Sequence, residues 1–336
     1  MNTINIGLDI GYSSTKCKFP AGMFRILSVI GSPNHSEFGV NTSAESVITT
    51  KDGTFLVGDT AVAHSRSVFR REDRNWIESP TYYALFVYSV ARVLKGCEGT
   101  EHEANNVNIV TGLPVSYFSN DSQKLIDVIK QNDGFHEFRL SDDVERAFKV
   151  DKVRVVPQPF GTIFSYAIDD NWKIIPEMAG GRTGVVDVGG KTTNILSTID
   201  LSEKTREATS VNVGGWDAIR MLKDYVVEKY PDLDMRDQEL EQVMMSKTLM
   251  YYGEQYDVSD IISTIAGTIS NEIGSQITQR WGSVASFDRI FITGGGANLI
   301  GDELLKSLQH ATIVRNPVLA NSSGYYKYAN FLWKRE

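Results

Sequence analysis

The stretch GVVDVGGKTTNI, residues 184–195, decides the fold. Its centre, GGKTT, looks like the end of a P-loop. That motif, G-x-x-x-x-G-K-[ST], fixes the distance between its two glycines. With Gly190 and Lys191 in place, the first glycine would have to stand at position 185, which is Val185; Gly184 is one residue too far away. The element is wrong as well. Val185, Val186 and Val188 make an apolar, β-branched run that reads as a buried strand. After the glycines, Thr192, Thr193, Asn194, Ile195 and Leu196 resume a strand-like pattern. The spacing predicts strand–turn–strand, whereas a P-loop needs strand–loop–helix.

The rest of the chain sets the frame. At 336 residues it is long enough for two domains and a large core. A net charge of −8 argues against broad, sequence-independent nucleic-acid binding. Cys17 and Cys97 lie far apart and read as reduced thiols, not as a metal cluster. MNTINIGLDIG carries no signal-peptide pattern, and no apolar run approaches the roughly 18 residues that span a membrane. Cytoplasmic residence is the expectation.

Strands are predicted at 4–10, 15–19, 106–114, 150–159 and 289–293, with a hairpin around Asp52-Gly53. Helices are predicted at 80–95, 121–133, 216–230, 257–281, from 297 through 309, and 323–333. The helix at 257–281 is the clearest, because Ile261, Ile262, Ile265, Ile269, Ile273 and Ile277 recur at spacings of three and four. Strands and helices alternate, so the class is α/β.

The quoted stretch has a partner. Asp9-Ile10-Gly11-Tyr12-Ser13-Ser14-Thr15 overlays Asp187-Val188-Gly189-Gly190-Lys191-Thr192-Thr193. Two such turns, half a chain apart, predict two similar domains facing each other with a ligand between them. Each turn offers backbone N–H groups and hydroxyls suited to phosphate oxygens. Each also offers one carboxylate, and Mg²⁺ favours a few carboxylates, water and the substrate's own phosphates. Asp9 and Asp187 fit that role through water.

These residues resemble the actin, Hsp70 and sugar-kinase superfamily. GLDIGYSSTK (7–16) is similar to its first phosphate motif, GVVDVGGKTTNI to its second, and FITGGGANL (291–299) to its adenosine motif. VVPQPFGTIFSY (155–166) and NPVLANSSGYYKYANFL (316–332) resemble its two connecting segments. VTGLPVSYF (110–118) is similar to the ParM/StbA-like plasmid-segregation actins. The resemblance implies an actin-like fold of two ribonuclease H-like domains with a nucleotide cleft. Domain I would span 1–157, with a returning C-terminal helix at about 316–336, and domain II would span 158–315. Gly11, Tyr12, Ser13, Ser14, Thr15 and Lys16, with Gly189, Gly190, Lys191, Thr192 and Thr193, would hold the phosphates of ATP or GTP. Asp9 and Asp187 would organise Mg²⁺, and Gln158 would position the attacking water. Gly214, Gly215 and Asp217 would lie near the phosphates and sugar, Lys247 near the base or ribose, and Gly294, Gly295, Gly296 and Asn298 against the adenosine. Lys191 departs from the small or hydroxyl residue usual in relatives; it reaches phosphate or points to solvent. Asn194 stands where many relatives have Asp.

The implied activity is an ATPase that forms filaments with itself to segregate plasmid or other DNA. It would act through a DNA-bound adaptor, with no direct nucleic-acid or membrane contact. The alternatives are a non-polymerising ATPase or a small-metabolite kinase of the same superfamily.

Overall fold

The computed structural model describes residues 2–33, 46–71 and 73–334. The chain divides into two compact units, Met1–Ile175 with Asn321–Glu336, and Pro176–Ala320. The first contains β1 (Thr3–Ile10), β2 (Ser14–Phe19), β3 (Gly22–Leu27), β4 (Ile30–Gly31), β5 (Val47–Thr50), β6 (Gly53–Val57), α1 (Asp59–His64) and β7 (Val68–Phe69). It continues with α2 (Pro80–Cys97), β8 (Asn106–Leu113), α3 (Val115–Ile129), β9 (Phe135–Arg139), β10 (Glu145–Pro157) and α4 (Phe160–Ala167). The second unit runs α5 (Pro176–Ala179), β11 (Arg182–Val188), β12 (Thr193–Ile199), β13 (Ser202–Glu203), β14 (Thr209–Val211), α6 (Gly215–Lys229) and α7 (Asp237–Ser246). It ends with β15 (Thr248–Tyr251), β16 (Glu254–Asp257), α8 (Ser259–Trp281), β17 (Arg289–Thr293), α9 (Ala297–Ser307) and β18 (Ala311–Ile313). The last helix, α10 (Ala320–Trp333), returns to the first unit; residues 335 and 336, included in the C-terminal segment expected from sequence, lie outside the described residues.

The two sheets share one plan. In the first unit the order begins β3-β2-β1-β8-β10; in the second it is β13-β12-β11-β17-β18. In each, the first three strands are antiparallel and the last three parallel. The repeat seen in seven residues is therefore a repeat of five strands. The first sheet then extends through β9, β5, β6 and β4 to β7.

Local chemistry starts the elements. Ser79 accepts a hydrogen bond from the Tyr82 N–H and Pro80 occupies the first turn, so α2 begins there. Most of α2 is buried, as its all-round apolar sequence requires. The isoleucines of α8 from Ile262 to Ile277 enter the second unit's core against α6 and α9. Both cysteines are buried free thiols.

Two elements differ from the sequence reading. The helix expected at 121–133 begins at Val115, directly after Pro114, and ends at Ile129. Its first turns, VSYFSN, are poor helix formers, so only the proline signalled the start. Left-handed backbone at Asn132 and Asp133 then ends helical geometry before Gly134. The strand expected from 150 begins at Glu145, because it first pairs antiparallel with β9, which the sequence reading left unassigned.

α10 docks backbone to backbone. A Cβ on Gly7 would stand 2.1 Å from the Ser322 carbonyl oxygen and 2.3 Å from the Tyr326 nitrogen. Gly7→Ala is expected to destabilise the first unit by about 3 kcal/mol in urea unfolding. Gly267, inside α8, has nothing within 4 Å of its would-be Cβ, so Gly267→Ala should stabilise by roughly 0.5–1 kcal/mol in the same assay.

His136 on β9 is buried beside Tyr83 and Phe148. Its Nε2–H donates to the Ile129 carbonyl at 2.8 Å and its Nδ1 accepts from the Tyr83 hydroxyl at 3.1 Å, a neutral tautomer. Burial first, then the charges of Lys51 and Lys130, lower its pKa to about 4, against the opposing pull of the Ile129 hydrogen bond. The unfolded chain takes up this proton near pH 6.5 and the folded chain only near 4. Stability is therefore full above pH 6.5 and falls by up to about 3 kcal/mol as pH drops to 4. Chemical unfolding at stepped pH should show this slope, and His136→Phe should flatten it.

Candidate functional site

In the first unit, β1 and β2 pair with Asp9 opposite Lys16 and Ile10 opposite Thr15. The turn between them closes when the Gly11 N–H donates to the Ser14 carbonyl at 3.1 Å. Thr15 is fully buried and shares a 2.9 Å hydrogen bond with the Ser28 hydroxyl, while Ser13 stays half-buried. Tyr12 is buried against Trp76, with ring centres 5.0 Å apart.

Asp9 lies one residue before the end of β1 and is buried. The Lys16 ammonium stands 3.3 Å from its Oδ2, and the Gln158 amide donates to its Oδ1 at 3.3 Å. A lysine from the same motif and a glutamine from a separate one thus meet on this carboxylate. Gln158 is held by its main chain: its N–H donates to the Leu113 carbonyl, and its carbonyl accepts from Gly161 N–H and the Tyr325 hydroxyl, each between 2.8 and 3.0 Å. The approach of α10 requires Gly112, where a Cβ would stand 1.9 Å from the Tyr325 hydroxyl and 3.0 Å from Gln158 Cγ. Gly112 and Tyr325 were missed as supports of Gln158; the strand-ending Gly-Leu-Pro was the signal. Burial, then the Asp9 charge, push the hydroxyl of neighbouring Tyr82 well above the usual phenol range.

The second unit repeats this arrangement. Asp187 lies opposite Asn194 and Val188 opposite Thr193, the register of the first turn shifted by the offset between Asp9 and Asp187. The Gly189 N–H donates to the Thr192 carbonyl at 2.9 Å, as Gly11 does to Ser14. The strand–turn–strand reading of 184–195 holds; helix does not follow the glycines. Thr193, fully buried like Thr15, donates to the Val213 carbonyl at 2.7 Å. Asn194 accepts from the Ser210 hydroxyl at 2.7 Å. Lys191 is half-buried.

The three glycine groups predicted from sequence converge here. Gly215 and Trp216 N–H groups donate to the Gly189 and Gly190 carbonyls at 2.9 and 2.8 Å, and Gly296 N–H to the Val188 carbonyl at 2.8 Å. The N-termini of α6 and α9 are thus fixed on the turn. Asp217 accepts from Gly214 N–H at 2.8 Å and pairs with Arg220 at 3.2 Å, so it caps α6. Asn298 is exposed in the first turn of α9. Lys247 is exposed in left-handed backbone at the C-terminal cap of α7.

The glycines of 294–296 are not alike. Gly294 has φ +88, and a Cβ there would stand 2.2 Å from the Val188 carbonyl oxygen and 2.5 Å from Asp187 Oδ1. A Cβ on Gly296 would stand 2.5 Å from Val188 Cγ1. The protein's own packing demands both. Gly295 has nothing within 4 Å.

The chain matches two sequence families that together span most of it. Residues 7–161 match the N-terminal domain of actin-like proteins, and residues 185–306 match the C-terminal domain of the MreB-like archaeal actin homologues. No curated protein matches it. Among solved structures, a 15-stranded ParM filament from Clostridium botulinum superposes with a TM-score of 0.79 at 21% identity, over 98% of this chain and 99% of that one. An archaeal actin homologue in complex with ADP gives 0.78 at 20% identity, over 99% and 100%. Bacillus thuringiensis ParM with AMPPNP gives 0.72 at 14% identity, over 99% and 100%. At such identities the likeness is one of fold.

Gly294→Ala should cost about 3 kcal/mol in thermal or urea unfolding, because positive φ and backbone overlap act together. Gly295→Ala should leave stability within about 0.5 kcal/mol of the parent, since nothing in the fold meets the added methyl.

Proposed function

The chain belongs to the actin-like proteins, and on that footing we propose that it is an ATPase that binds ATP with Mg²⁺, hydrolyses it, and assembles with copies of itself into filaments that segregate DNA through a DNA-bound adaptor. The observation that carries this reading is the duplicated turn. Each unit ends its central strand on a buried aspartate followed by a turn closed by the same hydrogen bond.

The donor set suits a nucleoside triphosphate. The turns at 11–14 and 189–192 supply backbone amides beyond the Gly11 and Gly189 N–H groups that close them, and Lys16 supplies an ammonium. Gly295, open where its neighbours are closed, is the position where a flat base could lie on bare backbone. Among the described residues no group of three or more His, Cys, Asp and Glu gathers around a metal position. A Mg²⁺ ion held mainly by phosphates and water does not require one. Asp9 and Asp187 are the carboxylates that would hold its waters, and the bound ion would offset the negative charge of the phosphates.

The protein's own residues then have distinct tasks. Gln158 donates its side-chain amide to Asp9 and is the residue that would orient the attacking water. An amide is no strong base, so its contribution is orientation, within an anchored main chain. Lys16 offsets the buried charge of Asp9 and offers a donor to phosphate. Asp187, buried one residue before the second turn, fixes a negative charge where a hydrated cation would be held.

Filament formation is supported by the ParM filament among the structural neighbours. The net charge of −8 supports attachment to DNA through an adaptor rather than directly.

Light scattering and pelleting with ATP·Mg²⁺, run against GTP·Mg²⁺ and no nucleotide, test assembly; none over a wide protein range would refute it. Asp187→Ala and Gln158→Ala should each lower steady-state hydrolysis about 10²-fold, with Gln158→Ala still binding AMPPNP. Gly295→Ala, stable, should weaken nucleotide binding about tenfold. Full-rate hydrolysis by Asp187→Ala would remove the site.

A further inference from the structure

Two exposed strand edges sit far from the phosphate turns in sequence. β7, Val68–Phe69, is the last strand of the first sheet and pairs only with β4 among the described strands. Val68 is 42% exposed and Phe69 47%. The second edge is the β15–β16 hairpin, a separate two-stranded sheet in which every residue of β16 is exposed. Around it stand Tyr252 at 80%, Met245 at 58% and Met250 at 51% exposed. Tyr230, Tyr251, Tyr252 and Tyr256 touch one another in sequence, with ring centres 4.6 to 5.8 Å apart, so the hairpin presents a stiff aromatic platform.

Apolar strand edges invite pairing, and proteins guard them with charge. Here the guards differ in sign. Arg66 and Arg70 flank β7, while Arg71 next to them is paired with Asp73 at 2.7 Å. Asp232, Glu254 and Asp257 flank or form the hairpin, and acidic residues outnumber basic ones from 228 to 260. Like charges disfavour β7 on β7 and hairpin on hairpin, while β7 on the hairpin of another copy brings opposite charges together and sets the apolar Val68 and Phe69 against the hairpin's exposed Tyr252 and Met250. A contact between two different patches is heterologous, and such contacts propagate into open filaments when the rotation does not close. Tyr and Met are the residue types that enrich interface cores.

We propose that copies of this chain join through the β7 edge of one copy and the β15–β16 hairpin of the next. This rests on the assembly reading above and names the surface that it uses.

The test is a charge swap. One variant carries Arg66→Glu and Arg70→Glu; the other carries Asp232→Lys and Glu254→Lys. None of these positions is assigned to the nucleotide site, so AMPPNP affinity and circular dichroism serve as checks of folding. Pelleting is measured with ATP·Mg²⁺ for the wild-type chain, each variant alone and an equimolar mixture. Each variant alone should need roughly tenfold more protein to assemble than the wild type, and the mixture should return to within about threefold of it, since each copy then meets opposite charge on its neighbour. Rescue by mixing requires that the contact lie between copies. If the wild type assembles and both variants assemble equally well, or if mixing well-folded, assembly-defective variants restores nothing, the interface is overturned while the filament reading stands. If the wild type does not assemble at all, the filament reading falls and the interface falls with it.

Discussion

In the second unit three main-chain segments meet with no side chain between them. The carbonyls of Val188, Gly189 and Gly190 accept the first N–H groups of α9 and α6. Only glycine can stand at 214, 294 and 296, because a methyl at each would fall within 2.5 Å of a neighbouring atom. This close approach binds the β11–β12 turn, α6 and α9 into one rigid body around Asp187. Orphan N–H groups at the two helix starts are satisfied by the turn that needs to be held. The turn is thereby preorganised before any ligand arrives.

The first unit reaches the same geometry by different means. Its turn has the same register and closing bond, but it is supported by Tyr12 on Trp76 and by the Thr15–Ser28 hydrogen bond. Its carboxylate partner, Gln158, is positioned from outside the hairpin by β8, α4 and α10, and α10 can dock only because Gly7, Gly112, Gly161 and Gly324 carry no Cβ. Two copies of one strand plan thus carry two different sets of supports. Duplication conserved what the backbone dictates, while the packing around each turn diverged.

The turns were legible because their signals are local. Strand alternation, a strand-end Asp and a glycine two residues after it marked both hairpins, and the failure of P-loop spacing at Val185 ruled out the main competitor. What escaped was non-local. β9 has no sequence signal apart from its partner β10, and the start of α3 is set by Pro114 and sheet packing against weak propensities. The glycines of 294–296 read as one ligand platform, yet two of the three answer to Val188 and only Gly295 is left open. Asp217, expected near the phosphates and sugar, also caps α6 with its carboxylate, a role the sequence did not announce. Sequence announces which residues are unusual; burial decides whether the fold itself has already used them.

The two aspartates are not equivalent, and their cross-strand neighbours say why. Opposite Asp9 stands Lys16, whose ammonium lies 3.3 Å away. Opposite Asp187 stands Asn194, an amide already accepting from Ser210. A buried carboxylate beside a lysine is offset within the fold and gains less from an arriving cation. The two turns thus share a register but differ in charge across the strands, an ammonium facing the first carboxylate and an amide facing the second.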